Sequence, residues 1–317
     1  MDILQYMRRK ADMQSLLTGA GTVFAGTAAA VIRGHMELLA ASVCLIFVVI
    51  TQLGCNLYRC YLSMQKDLDR NSHKRLSLEP VDNNPMSLRL LREGSTSCLI
   101  ISLTLGLTLM TMAEGIWWSL VVGVIIYGSC YVISKDSFVY FKWVPLMLTF
   151  LLFGPVGVMG TSLLQFQHEV PHAVWCLYDM APSGYMGLSM GLLACSYHLV
   201  MGCYHVSIDT CDDSRQVMPG KRLATLVGLF GLLSFGVAAW MVYDLELSHP
   251  LIAIAPGVFS LVLNTHIAFN LSRGGVVGLR HYNTLAQINF FTTGLLYFIL
   301  WWVIGDPNES LRIFFPI

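Results

Sequence analysis

The sequence predicts an all-α, polytopic membrane protein: one bundle of about nine transmembrane helices with a cytoplasmic amino terminus. Three observations predict it. Hydrophobic residues make up 55% of the 317-residue chain and charged residues only 12%, with a mean hydropathy of +0.63, well outside the range of a water-soluble domain. The apolar residues fall into repeated runs of about 20, the length that crosses a hydrocarbon core. The cations are confined to alternate connections between those runs, the pattern that sets orientation in a bilayer. The formal net charge is zero. The basic surface needed for nucleic acid is therefore missing, so the lipid bilayer is an expected partner and nucleic acid is not.

Nine runs satisfy the length test, at 14–33, 36–58, 95–113, 115–134, 143–165, 183–204, 223–243, 249–270 and 284–305. The basic start, Arg8, Arg9 and Lys10, leads straight into the first run, which reads as a span and not as a cleaved leader. That run is the least hydrophobic. Its Gly, Ala and Thr content suits a tightly packed helix with little lipid contact. Small residues recur at four-residue spacing in Gly187-x-x-x-Gly191 and Ala224-x-x-x-Gly228, which lets helix backbones approach closely in lipid. The nine cysteines include no CxxC pair and read as small packing residues. Trp117, Trp118, Trp143, Trp301 and Trp302 lie near span ends, where interfacial anchoring accounts for them.

With the amino terminus inside, the inner connections are 1–13, 59–94, 135–142, 205–222 and 271–283. They hold 17 of the 19 Lys and Arg residues, leaving only Arg33 and Arg312 outside. The longest outer connection, 166–182, has no Lys or Arg, and nine spans place the carboxyl terminus outside. His168-Glu169-Val170-Pro171-His172 matches H-E-x-x-H literally. A zinc site needs both histidines on one face of a regular helix, and Pro171 would break that helix. No zinc site is expected there.

The chemistry concentrates in two inner connections. His205 to Arg222 is a polar interval between two apolar runs. Asp209, Asp212 and Asp213 stand at i, i+3 and i+4, so a helix continued through them would align three carboxylates. Lys221 and Arg222 follow the Pro219-Gly220 turn signal. Carboxylates beside fixed cations suit a divalent metal and a phosphorylated ligand, though a merely solvated loop has the same composition. The second connection, 59–94, carries Lys66, Asp67, Asp69, Arg70, Lys74 and Arg75 near its start. Both begin at the inner ends of even-numbered spans, so they could face one another across one cavity mouth. Asn56, His198, Asn264, His266, Gln287 and Asn289 lie within spans. Such groups are expected to face the bundle interior or a cavity, chiefly as interhelical hydrogen-bonding partners.

Several segments together resemble the UbiA superfamily of intramembrane prenyltransferases, most of all its 1,4-dihydroxy-2-naphthoate branch. Gly26 to Ala30 is similar to the first helix of that branch. Gln52-x-x-x-Asn56-Leu57 with Tyr61, Lys66 and Asp69 resembles its first aspartate-rich region. Phe153 to Thr161 (FGPVGVMGT) is similar to its fifth-helix segment, and Asp209-x-x-Asp212 with Gly220-Lys221-Arg222 to its second aspartate-rich region. The resemblance implies transfer of an isoprenyl group from isoprenyl diphosphate to an aromatic acceptor of the dihydroxynaphthoate kind, with Mg²⁺ as cofactor. It implies Asp209 and Asp212 as catalytic metal ligands, Asp69 and Asp213 as further metal ligands, and Asn56, Arg59, Lys66, Lys221 and Arg222 on the diphosphate. A bacterial cytoplasmic membrane is the implied location.

The chain departs from that pattern. The family's first motif runs Asn-x-x-Asn-Asp-Tyr-x-Asp, whereas here Arg59 replaces an amide and Cys60 and Ser63 replace the two acids. In the second motif Asp209 replaces Asn, Cys211 replaces Arg and Gln216 replaces the last Asp. Fewer carboxylates mean a weaker site for a hard cation. Two outcomes fit this pattern. Arg59 contacts diphosphate in place of one metal, or the protein binds a prenyl diphosphate or quinone without turnover and serves a partner. A third reading, a transporter, calls for a pair of interrupted helices, of which Phe153-Gly154-Pro155 is one candidate member.

Overall fold

The computed structural model describes residues 16–33, 36–73, 85–112, 143–165, 181–208, 220–245, 247, 250–274 and 278–304. For 66–73, 85–87, 112, 205–208, 252, 274 and 304 it describes backbone only. The described chain is helical throughout: α1 (Leu16–Ile32), α2 (Leu38–His73), α3 (Pro85–Met112), α4 (Trp143–Leu151), a π-helical turn (Leu152–Val156), α5 (Gly157–Leu163), α6 (Ala181–Ile208), α7 (Gly220–Asp244), α8 (Pro250–Gly274) and α9 (Leu279–Ile304). Among the described residues, seven helical stretches are long and apolar enough to cross a membrane, from Leu38–Gln65 to Leu279–Val303. This is a multi-pass membrane protein. The expected run at 115–134 lies outside the described residues.

Helix α1 is too short, at 17 residues, to count among those seven, and its environment explains its composition. Twelve of its residues are buried, nearly all of them Gly, Ala or Thr. It packs against α2, α5, α6 and α9 at once. Small side chains make this possible, because they let four neighbours reach the α1 backbone. A Cβ on Gly26 would fall 2.6 Å from Thr161 Cβ and 2.7 Å from the Val158 carbonyl oxygen. A Cβ on Gly294 of α9 would overlap the carbonyl of Gly21, and one on Gly19 would overlap Val48 of α2. Beside these contacts the rings of Phe24 and Phe298 meet at 5.7 Å.

The fifth expected span is interrupted. Gly154 has φ −106° and ψ −113°, outside the helical region, and the next residue, Pro155, supplies no N–H. The break fits onto α6. A Cβ on Gly154 would lie 2.6 Å from the Gly187 carbonyl oxygen and 2.7 Å from Gly191 Cα. The Gly187-x-x-x-Gly191 spacing is thus the seat for this kink. The Thr22 hydroxyl of α1 donates to the Phe153 carbonyl at 3.1 Å, so a carbonyl at the break finds a donor inside the bundle, as backbone in a membrane requires. Pro256 leaves α8 continuous.

Side-chain contacts fix the helix directions. Helices α1 and α2 run antiparallel, since Gly19 meets Val48 and Gln52 while Val23 clusters with Cys44. The α2–α3 pair is antiparallel through Gly54–Cys98 and Leu57–Gly94, and α4 opposes α6 through Thr149–His198. Helices α6, α7, α8 and α9 alternate through Ser189–Ser234, Gly231–Asn264 and Asn289–Ser260. One end of the bundle therefore gathers the starts of α1, α3, α4, α7 and α9 with the ends of α2, α6 and α8. Of the Lys and Arg residues with described side chains, Arg59, Arg89, Arg92, Lys221, Arg222, Arg273 and Arg280 lie toward this end, and Arg33 lies at the other.

One sequence expectation changes here. Trp301 is 7% exposed and packs in the main apolar cluster with Met186 and Tyr297, so it is a core residue and not an interfacial anchor. Trp143, 69% exposed, fits the anchoring role. The buried cysteines Cys44, Cys60, Cys195 and Cys203 are packing residues, and no disulfide joins cysteines among the described residues.

The glycine contacts of α1 predict a sharp contrast. Gly294→Val forces a side chain into the Gly21 backbone and is expected to lower stability by about 3 kcal/mol or more, since overpacking against backbone relaxes poorly. Gly236 has open space around its Cβ position, so Gly236→Ala is expected to be neutral or to stabilise by up to about 1 kcal/mol. Thermal unfolding in detergent, followed by tryptophan fluorescence, checks both.

Candidate functional site

Helix α2 is 36 residues long, about 54 Å at 1.5 Å per residue, and so extends past a hydrocarbon core of about 30 Å. Its last turns carry the first motif. The register is set by Gln52, whose side-chain amide donates to Thr18 of α1 at 3.2 Å. Asn56, Arg59 and Ser63 follow Gln52 at four, seven and eleven residues, and share its face. Asn56 is 9% exposed, and Arg59 and Ser63 are half-buried. An amide and a guanidinium thus follow Gln52 on the helix face that it turns toward α1, at the basic end of the bundle. Lys66 and Asp69 lie in the helical backbone of α2, with side chains outside the described residues.

Cys60 faces elsewhere. It is 1% exposed and clusters with Met64 and with Leu91 of α3, flanked by Leu57 and Tyr61. The resemblance assigns this position to an acidic ligand. Here it is an apolar contact between α2 and α3, and a thiol in that place offers no oxygen to a hard cation. Tyr58 and Tyr61 stack with ring centroids 6.2 Å apart.

Helix α7 opens at Gly220, putting Lys221 and Arg222, both exposed, in its first turn. Cations stabilise helix carboxyl ends, not amino ends, so these two do nothing for the helix itself. They add full charge to an end whose free N–H groups already favour anions. Asp209, Asp212 and Asp213, like the H-E-x-x-H stretch, lie outside the described residues.

The two regions share one end of the bundle, and among the described residues their helices do not pack extensively together. Helix α1 touches both α2 and α6, and α6 touches α7, whereas α2 makes no extensive contact with α6 or α7. Asn56 and Arg59 are thus grouped on α2, and Lys221 and Arg222 on α7, with α1 and α6 linking these helices through described contacts. A shallow hollow lies at the opposite end, lined by Val242, Tyr243, Asp244, Leu247 and Pro250. No three described His, Cys, Asp or Glu side chains gather in a way that could hold a metal ion.

The intramembrane polar residues divide in two. His198 Nδ1 meets Thr149 Oγ1 at 3.2 Å. Gln287 Nε2 donates to the Tyr197 hydroxyl at 3.4 Å, and Asn289 Nδ2 to the Ser260 carbonyl at 3.3 Å. These are interhelical hydrogen bonds, as expected. Asn264 is buried against Gly231. His266 is different: it is exposed on the outside of α8, with Asn270 as its neighbour. Thr18, Thr22 and Thr27, the α1 hydroxyls that meet Gln52, Phe153 and Gln165, were not singled out by the sequence. Their only signal was threonine recurring in a run of Gly and Ala.

No family model matches the sequence, and neither does any curated protein.

The packing of Cys60 yields a prediction. Cys60→Asp, which restores the acid of the family motif, would bury a carboxylate against Met64 and Leu91. The effective penalty is several kcal/mol, roughly 3–5. The expected result is a lower midpoint of thermal unfolding and no gain in Mg²⁺ affinity by titration calorimetry. Ser63→Asp, on the Gln52 face, should be tolerated.

Proposed function

We propose that this protein is an integral-membrane prenyltransferase moving an isoprenyl group from its diphosphate to an aromatic acceptor of the dihydroxynaphthoate kind, in a quinone pathway. The observation that carries this reading is the Asn56–Arg59 stripe on α2. Arg59 follows Asn56 on the face that Gln52 turns toward α1, at the basic end of the bundle, and guanidinium pairs with phosphate oxygens. Lys221 and Arg222, at the amino end of α7 on the same end of the bundle, add a second anion-attracting group.

In this reaction the allylic C–O bond breaks and both electrons leave with diphosphate. An aromatic carbon attacks the allylic cation, and its ring proton is then lost. The barrier lies in the charge that builds on the departing diphosphate, so fixed cations there stabilise the transition state. Arg59 holds the diphosphate oxygens from α2, with Asn56 donating beside it and Lys66 adding charge further along. Lys221 and Arg222 approach from α7. Positions 59 and 60 do not suit a magnesium ion, since they offer a guanidinium and a buried thiol where oxygen donors would be required. In this reading Asp209 and Asp212, with Asp213 and Asp69, are the remaining oxygen donors for Mg²⁺, which would supply further positive charge.

The orientation belongs to the same proposal. Cations gathered at one end of the bundle support a cytoplasmic placement of that end, and of the amino terminus with it. Nine spans are supported by direction: α3 ends and α4 starts at opposite ends of the bundle, and the 115–134 run between them in sequence is long enough for one more crossing. A bacterial cytoplasmic membrane follows from the resemblance alone.

One observation favours a second reading, a binder of prenyl diphosphate or quinone that serves a partner enzyme: the apolar burial of Cys60 removes a ligand position of the family motif. A transporter would need a second interrupted helix, and among the described helices only the Gly154 turn is broken.

Purified full-length protein with Mg²⁺, a panel of isoprenyl diphosphates and 1,4-dihydroxy-2-naphthoate decides between these readings. The enzyme reading expects diphosphate release with a prenylated product, lost in Asp212→Asn. It also expects Arg59→Gln to weaken diphosphate binding about tenfold or more, as for a charge-assisted contact. Binding without turnover supports the binder. Absence of binding overturns both.

A further inference from the structure

The outward face of α8 is not the apolar surface that a lipid-facing helix normally presents. Its exposed stripe runs Val258, Val262, His266, Phe269 and Arg273, with Asn270 alongside. This helix is one of the seven able to cross a membrane, and its apolar window reaches Arg273. A histidine and an asparagine facing hydrocarbon would be costly unless something polar met them.

The local geometry arranges these groups. The Asn270 amide donates to the His266 carbonyl at 2.8 Å and lies 3.2 Å from His266 Nε2. With Nε2 accepting, Nδ1 carries the ring proton and remains a donor. The Arg273 guanidinium lies over the Phe269 ring, 4.0 Å from its centroid. It thus lies back along the helix toward His266 and Asn270 instead of extending into water.

We propose that this face binds one anionic phospholipid of the inner leaflet. The order of chemistry along α8 matches the order along such a lipid. Arg273, at the bundle's basic end, meets the phosphate. Asn270 and His266 lie about 4 Å and about 10 Å deeper at 1.5 Å per residue, at the level of the ester oxygens. Val262 and Val258 continue along the acyl chain and are 62% and 43% exposed. Arg280 and His281 are exposed in the first turn of α9, at the same end as Arg273. Arg273 and the exposed Arg280 put fixed positive charge at this end, which favours a headgroup of net negative charge. Among described side chains, Glu93 is engaged by Arg89 at 2.7 Å on α3, and Glu37 and Asp244 lie at the other end. Charge complementarity therefore selects an anionic lipid.

The test is native mass spectrometry of the full-length protein in detergent, titrated with phosphatidylglycerol or with phosphatidylcholine. Phosphatidylglycerol is expected to be retained in preference, and Arg273→Gln is expected to weaken it about fivefold, as for loss of one interfacial cation. His266→Leu combined with Asn270→Leu should weaken both lipids, while Arg92→Gln on α3 should leave binding unchanged. If the double variant does not fold, Arg273→Gln and His266→Gln decide alone. Equal retention of the two lipids, or binding unaltered in Arg273→Gln, overturns the proposal. So does displacement of the lipid by millimolar inorganic phosphate, which would indicate a simple anion site. A protein dimer that dissociates in the Leu variants without lipid dependence would assign the face to a second copy and overturn it as well.

Discussion

Bare backbone along α1 is the constraint on which the rest of the bundle depends. In lipid there is no hydrophobic drive to bring one apolar helix to another, so association rests on close packing and on hydrogen bonds made inside. Glycines on α1 and on its partners remove the side chains that would hold them apart. Gly19 admits Val48 of α2, Gly26 admits α5, and Gly21 meets Gly294 of α9. Each neighbour is then held against a common axis. The position of α2, and with it the Asn56–Arg59 stripe, is inherited from its contact with α1.

Polar groups do the remaining work in a medium that offers few partners. The broken helix around Gly154 shows how this is solved: a threonine from α1 reaches the Phe153 carbonyl, and α6 offers two glycines where the kink protrudes. Gln52 and Thr18 fasten α2 to α1 in the same manner. Because Gln52 is anchored, the residues that follow it at helical spacing are committed to the same side. The structural hydrogen bond and the candidate binding groups are consecutive turns of one face.

The charge distribution gives the bundle two unlike ends. The end that carries Arg59, Lys221, Arg222, Arg273 and Arg280 concentrates positive charge, the sign that a phosphate group would seek. Within that end the locations differ. Arg59 is half-buried on α2, where partial removal from solvent strengthens its attraction for an anion. Lys221 and Arg222 are exposed, where solvent screens them more. The α2 stripe is therefore the better candidate for specific recognition, and the α7 cations for capture.

How much of this was legible in the sequence follows from which features are local. Composition, run length and the placement of Lys and Arg are properties of short segments. From them the sequence by itself determined an all-helical membrane protein, eight of whose nine expected spans coincide with helices, with its cations on alternate connections. Tertiary structure alone decided which side of each helix is inside. In water, apolar periodicity reveals the buried face. In lipid both faces are apolar, so the pattern that would distinguish them is absent. That is why Cys60 could turn toward α3 and away from a ligand site, why Trp301 could be core and not anchor, and why His266 could face outward. Facing is settled only by which helix packs beside which, and here that is decided by the four neighbours that a Gly, Ala and Thr helix can admit.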